Sequence, residues 1–150
     1  MSKNAVSDPI STNTLVFEVR YDDDVFSLVC VSNQNNPVAQ DDVTVVESGT
    51  GGDTSPSSQD IKIKASKSTF ESLRVTSGGS SADWTSNNDS TWRRMTRTVT
   101  LQAGFEVEDL EFTVTAKTNS SNGSKTWTLD PFVRLQRQGY TVSNPTKAAS

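Results

Sequence analysis

The sequence predicts an all-β domain, a sandwich or a barrel, on three observations. Its apolar residues fall in short runs that alternate with polar ones, the period of a half-buried strand. Clusters of Ser, Thr, Asn, Gly and Asp punctuate those runs about every 8–12 residues. No window of about 12 residues holds a helical period. Only 32% of the 150 residues are hydrophobic, and their concentration in the runs places them in strands, with long polar loops between.

Taken in order, residues 1–13 are polar, contain Pro9 and read as a flexible N-terminal arm. Thr14–Arg20 follows as a first strand, with Leu15, Phe17 and Val19 on one face. The Tyr21-Asp22-Asp23-Asp24 cluster reads as a turn. Val25–Val31 is apolar on both faces, as a central strand is. Ser32–Pro37 is a strong turn signal, and Asp42–Glu47 a third strand. Ser48–Gln59 is the most flexible loop expected in the domain. Ile61-Lys62-Ile63-Lys64-Ala65 then gives a clean apolar/basic alternation, and Leu73–Thr76 a short strand closed by Ser77-Gly78-Gly79-Ser80. Trp92–Leu101 and Leu110–Ala116 are further strands separated by the Gln102-Ala103-Gly104 turn. Asn119–Ser124 forms a hairpin tip, and the return strand Lys125–Leu129 continues as Phe132–Leu135 beyond a break at Pro131. Residues 14–142 make the domain and 143–150 a flexible tail.

Composition narrows function. The formal charge of −4 gives the whole chain no electrostatic footprint for nucleic acid. There is no histidine, which removes the commonest general base and metal ligand and the usual activation of a catalytic serine. The single cysteine, Cys30, forms no internal disulfide and lies in an alternating apolar run, so it reads as a buried structural thiol. No apolar segment approaches the length of a membrane span, and the first residues carry no apolar stretch of a secretory signal. No cofactor and no metal are expected. The sequence is read as non-enzymatic.

Phe26–Asn33 leads through a Pro-containing turn to Asp42–Val45; later Trp84-Thr85-Ser86 leads to Thr96–Gly104 and then Leu110–Ala116. This order resembles the immunoglobulin-like repeats of bacterial and archaeal surface proteins, over roughly residues 14–117. The resemblance implies an immunoglobulin-like antiparallel β-sandwich of about eight or nine strands. The chain departs from those repeats in a longer C-terminal part, in extra loops near Gly49 and Asn87, and in beginning at Met1 without a signal. In that form it resembles the decoration (cement) proteins of tailed-bacteriophage capsids, which implies a virion protein made in the host cytoplasm, bound to the major capsid protein or another virion protein, with neither nucleic acid nor membrane as partner. A homo-trimer at a symmetry axis is one arrangement this allows.

The candidate partner-binding residues are Trp92, Arg93, Arg94, Arg97 and Trp84. Arg and Trp are the types enriched in binding hot spots, and strand alternation places Arg93 and Arg97 on one face and Arg94 on the other. The alternative for the arginines is edge protection. Trp84, flanked by polar residues, is expected to be the exposed tryptophan and the platform of the alternative function, a carbohydrate- or cell-surface-binding module; Trp127 is expected in the core. A third possibility is a surface-layer or adhesin domain. The Asp22-Asp23-Asp24 run, with Asp41 and Asp42, is weighed as a Ca²⁺ cage against a solvated turn. Arg134 and Arg137 form a smaller basic group, and the sequons at Asn88, Asn119 and Asn122 read as chance products of composition.

Overall fold

A computed structural model describes residues 5–50 and 55–139. Two β-layers enclose the main core. The first layer is six-stranded, in the order β5 (Asn36–Val38), β4 (Val25–Cys30), β3 (Thr14–Asp22), β7 (Ser57–Ser66), β10 (Trp92–Leu101), β9 (Thr85–Ser86). The second runs β6 (Asp42–Thr50), β14 (Phe132–Gln138), β11 (Val107–Glu111), with β1 (Ala5–Val6) and β2 (Ile10–Ser11) on the far side of β6. It continues into a three-stranded part, β13 (Thr126–Leu129), β12 (Thr113–Thr118), β8 (Phe70–Thr76).

The two parts of the second layer share one long hairpin. β11 and β12 are separated only at Phe112, and β13 and β14 at Asp130–Pro131. Proline donates no ladder hydrogen bond, so the ribbon bends there, and the Phe112 N–H donates to the Pro131 carbonyl at 3.3 Å. The break expected at Pro131 is therefore present. A short 3₁₀ turn, Ser120–Asn122, closes the expected tip, with Gly123 in the left-handed region at φ 83° that a residue without Cβ adopts at little cost.

Alternation builds the core as read. Leu15, Phe17 and Val19 of β3 face Ile61, Ile63 and Ala65 of β7 in register, and all six are essentially inaccessible. From the opposite layer come Phe112, Val114, Ala116, Val133 and Leu135; the Phe17 and Phe112 rings lie 6.2 Å apart. Phe132 alternates with Val133 and joins Val43 and Val45 in a second buried cluster, so β14 is buried on both faces. Cys30 is 2% exposed, and burial pushes its thiol pKa up, which makes it the inert thiol its run suggested. Among the described residues no helix is long and apolar enough to cross a membrane.

Four expectations are corrected. The described part of the N-terminal arm is not loose: β1 and β2 pair in parallel with β6, and Ile10 belongs to the core. The sheets are not purely antiparallel, because β3 pairs with β7, and β6 with β14, in parallel. The strand count exceeds nine because bends divide long ribbons and short segments pair at the margins. The loop expected from Ser48 is shorter at both ends, since β6 runs to Thr50 and β7 begins at Ser57. Residues 1–4, the centre of that loop and the 143–150 tail lie outside the described residues.

Candidate interaction surface

Strand β10 organises the candidate residues, and its alternation divides them. Arg93, Met95, Arg97, Val99 and Leu101 pair with Ala65, Ile63, Ile61, Gln59 and Ser57 on the core side of β7. Trp92, Arg94, Thr96, Thr98 and Thr100 pair with Ser66, Lys64, Lys62, Asp60 and Ser58 on the outer side. Arg93 and Arg97 do share a face, as the spacing required, but it is the inner one.

The inner arginines are therefore structural. The Arg93 Nε donates to the Phe70 carbonyl at 3.0 Å, tying β10 to the start of β8. Arg97 donates from Nη1 to the Ser77 hydroxyl at 2.8 Å and lies 3.7 Å from the Asp83 carboxylate. Its guanidinium carbon is 6.0 Å from the Trp84 ring centre, within reach of a cation–π attraction. Trp84 itself is 5% exposed. Its ring packs 5.2 Å from Phe112, and its Nε1–H donates to the same Ser77 hydroxyl at 3.0 Å. The expected exposed platform is thus a core residue. Its polar neighbours form a loop that a long-range contact folds inward, and the glycan-stacking surface assigned to Trp84 does not exist. Trp127 packs at the margin of the core, its ring 5.5 Å from that of Phe26 and nearly parallel to it.

The outer face has a different character. Lys64 Nζ lies 4.2 Å from the centre of the half-buried Trp92 ring, a cation–π distance. Arg94 stands beside Lys64 across the pair and forms an ion pair with Asp89. Asp89 also accepts from the backbone N–H groups of Thr91 and Trp92, at 2.8 and 2.7 Å. The Trp92 backbone hydrogen bond, then the Arg94 and Thr91 bonds, hold its pKa down at about 2. This carboxylate fixes the start of β10 and the Trp92 backbone with it. Lys62 lies two residues before Lys64; neither lysine forms an ion pair among the described residues, and Glu18, which stands opposite Lys64 across β3, is held by Arg20 at 3.2 Å. A cleft of about 340 Å³ opens at the Lys62 end, with Asp60, Thr96, Arg97 and Thr98 in its wall.

Sequence reasoning missed Lys62 and Lys64 as site residues. Their signal was the apolar/basic alternation of residues 61–65, whose outward half joins Trp92 and Arg94 only once β7 and β10 are paired. Phe105 was missed as well: it is 56% exposed at the closing position of the Gln102–Phe105 turn.

The remaining candidates resolve into structure. Asp23 and Asp24 have φ of 50° and 64° at the two centre positions of the β3–β4 hairpin, a type I′ turn that favours Asp. The Tyr21 hydroxyl and Lys125 ammonium both donate to Asp24 and lower its pKa. Asp42 is at the Cys30 end of β4, where its carboxylate accepts from the Ala39 N–H, a strand's length from that hairpin. No group of three or more His, Cys, Asp or Glu residues able to hold a metal exists among the described residues. Arg134 makes a two-point ion pair with Asp109, at 2.6 and 2.7 Å. Asn88 accepts from the Arg94 N–H, and Asn119 donates to the Ser68 carbonyl, so both amides have local structural roles.

No protein-family model, curated protein or solved structure matches the chain.

Proposed function

We propose that the chain is a non-enzymatic structural protein of a virus particle, a decoration or cement module with an immunoglobulin-like sandwich that binds the outer surface of a capsid and ties neighbouring subunits together. The observation that carries this reading is the outer face of the six-stranded layer. There Trp92, Lys64, Lys62 and Arg94 stand in adjacent registers on one sheet face, an aromatic with two cations that form no ion pair among the described residues. Residues of this kind, held on strands instead of loops, suit a contact between proteins. A module that binds the assembled shell and not its free subunits adds its binding free energy to the assembly alone. Its localisation would be the virion.

Particles purified on a density gradient from the source of this sequence test the reading by quantitative mass spectrometry. A fixed ratio of this chain to the major shell protein, retained through a second gradient, is expected. Complete absence from the particle fraction while the chain is abundant in the free-protein fraction would overturn it.

A further inference from the structure

The outer face of the second layer is buried, although no described strand lies over it. On β14 the outward parity is Phe132, Arg134 and Gln136, opposite Val43, Val45 and Glu47 of β6. The alternate residues Val46, Val133 and Leu135 face the main core. Phe132, Arg134, Gln136, Val43 and Val45 are nonetheless all buried. Phe132, Val43 and Val45 form a cluster that no other described residue joins. Every strand described belongs to this layer or to the six-stranded layer behind it. That other layer is different: on its outer face Trp92, Lys62, Lys64 and Arg94 are only half-buried.

The structure is that of a single chain, so the burial arises within it. Outside the described residues the chain has three segments, 1–4, 51–54 and 140–150. The four residues after Thr50 lie at the Gln138 end of the layer, about 23 Å from Val43 at 3.3 Å per residue, and are too few to span it. β1 is parallel to β6 with Ala5 opposite Asp42, so the chain before Ala5 enters from beyond Asp42, away from Val45 and Gln136. The third segment has the right start and the right length. It leaves β14 at Gly139, whose φ of 85° is the left-handed conformation of a reversing turn. Its 11 residues span about 36 Å when extended, against about 20 Å from Gln138 back to Phe132.

Its chemistry fits as well. Tyr140 and Val142 alternate, so an extended backbone turns both to one side, the side an apolar strip would bury. Lys147 is the one cation of residues 140–150. The Phe132 end of the face is acidic: Glu111 stands opposite Phe132 on its outer parity, and Asp130 and Asp41 precede Phe132 and Val43 by two residues. A segment running back from Gly139 brings its positive charge to that end, which favours this direction over others. We infer that the outer face of β6 and β14 is a docking surface for the chain's own residues 140–150, which turn back at Gly139 and run over β14 toward Phe132. The second layer is then covered on both sides, and the Trp92 face of the other layer is the one left open to a partner.

Hydroxyl-radical footprinting of the full chain tests this, read by mass spectrometry and corrected for intrinsic side-chain reactivity. Phe132 and Tyr140 are both expected to be protected, with exposed Phe105 as the reactive standard and buried Phe112 as the protected one. Tyr140→Asp/Val142→Asp is expected to raise Phe132 labelling toward that of Phe105 while Phe112 stays protected, because a carboxylate is costly to bury. Tyr140→Ser/Val142→Ser is expected to raise it part of the way, and serves if labelling of Phe112 shows that the aspartates unfold the sandwich. Tyr140 labelled as freely as Phe105 in the parent chain overturns the inference whatever the variants do. Phe132 that stays protected in both folded variants overturns it too. Protection lost on about hundredfold dilution would give the cover to a second copy, since mass action weakens only contacts between chains, and would equally overturn it.

Discussion

The two faces of β10 carry the same residue types to opposite ends. Inward, Arg97 and Arg93 hold the Ser77–Trp84 loop and the start of β8, and the tryptophan beside Arg97 is buried. Outward, Arg94 and Trp92 lie with Lys64 and Lys62 on a half-exposed sheet. In sequence the two groups interleave residue by residue. A cluster of arginine and tryptophan in a strand is therefore two clusters, and its meaning depends on which parity faces the core.

That comparison is broken most forcefully from the inner side. Trp84→Ala removes an indole packed on Phe112 and its bond to Ser77, and a loss of about 3–5 kcal/mol in denaturant unfolding is expected. Arg97→Ala, which leaves Trp84 in place but unties Ser77 and Asp83, should cost about 1–3 kcal/mol. Unfolding free energies within about 0.5 kcal/mol of the parent for both would contradict a structural role for the inner face.

A smaller effect sharpens the outer side. Asp89 has its folded pKa depressed to about 2 from 3.8, so its contribution is present above 3.8 and is lost as pH falls through about 2. Amide exchange at Thr91 and Trp92 should accelerate, after correction for intrinsic exchange, as pH falls from about 4 to about 2. Asp89→Asn should flatten that dependence while leaving the core amides of β3 and β7 protected. An unchanged pH profile in the variant would remove Asp89 as the anchor of Trp92.

Much of the fold was legible because a strand's inward set is written locally. Leu15, Phe17 and Val19 alternate in sequence and in space, and Pro131 breaks the ribbon where its missing N–H requires. What was not legible depended on pairing. Period-2 alternation is the same for parallel and antiparallel neighbours, so nothing local distinguished the parallel β3–β7 and β6–β14 pairs. Ile10 looked like part of a loose arm because its burial exists only against β6. Trp84 looked exposed because its neighbours in the chain are polar, whereas Phe112, Ser77 and Arg97 bury it from a distance. The candidate surface was half visible: Trp92 and Arg94 were identified, and Lys62 and Lys64 joined them only through the β7–β10 register.

The central claim is that the outer face of this sheet makes contacts between proteins and contributes little to folding. Its most direct test is in vitro decoration of stripped particles with Lys62→Glu/Lys64→Glu protein, with thermal unfolding measured on the same preparation. The expected result is a melting temperature within a few degrees of the parent, since exposed charge changes cost about 0.5 kcal/mol or less, together with particle occupancy reduced about tenfold or more. Full occupancy at an unchanged melting temperature would contradict the claim.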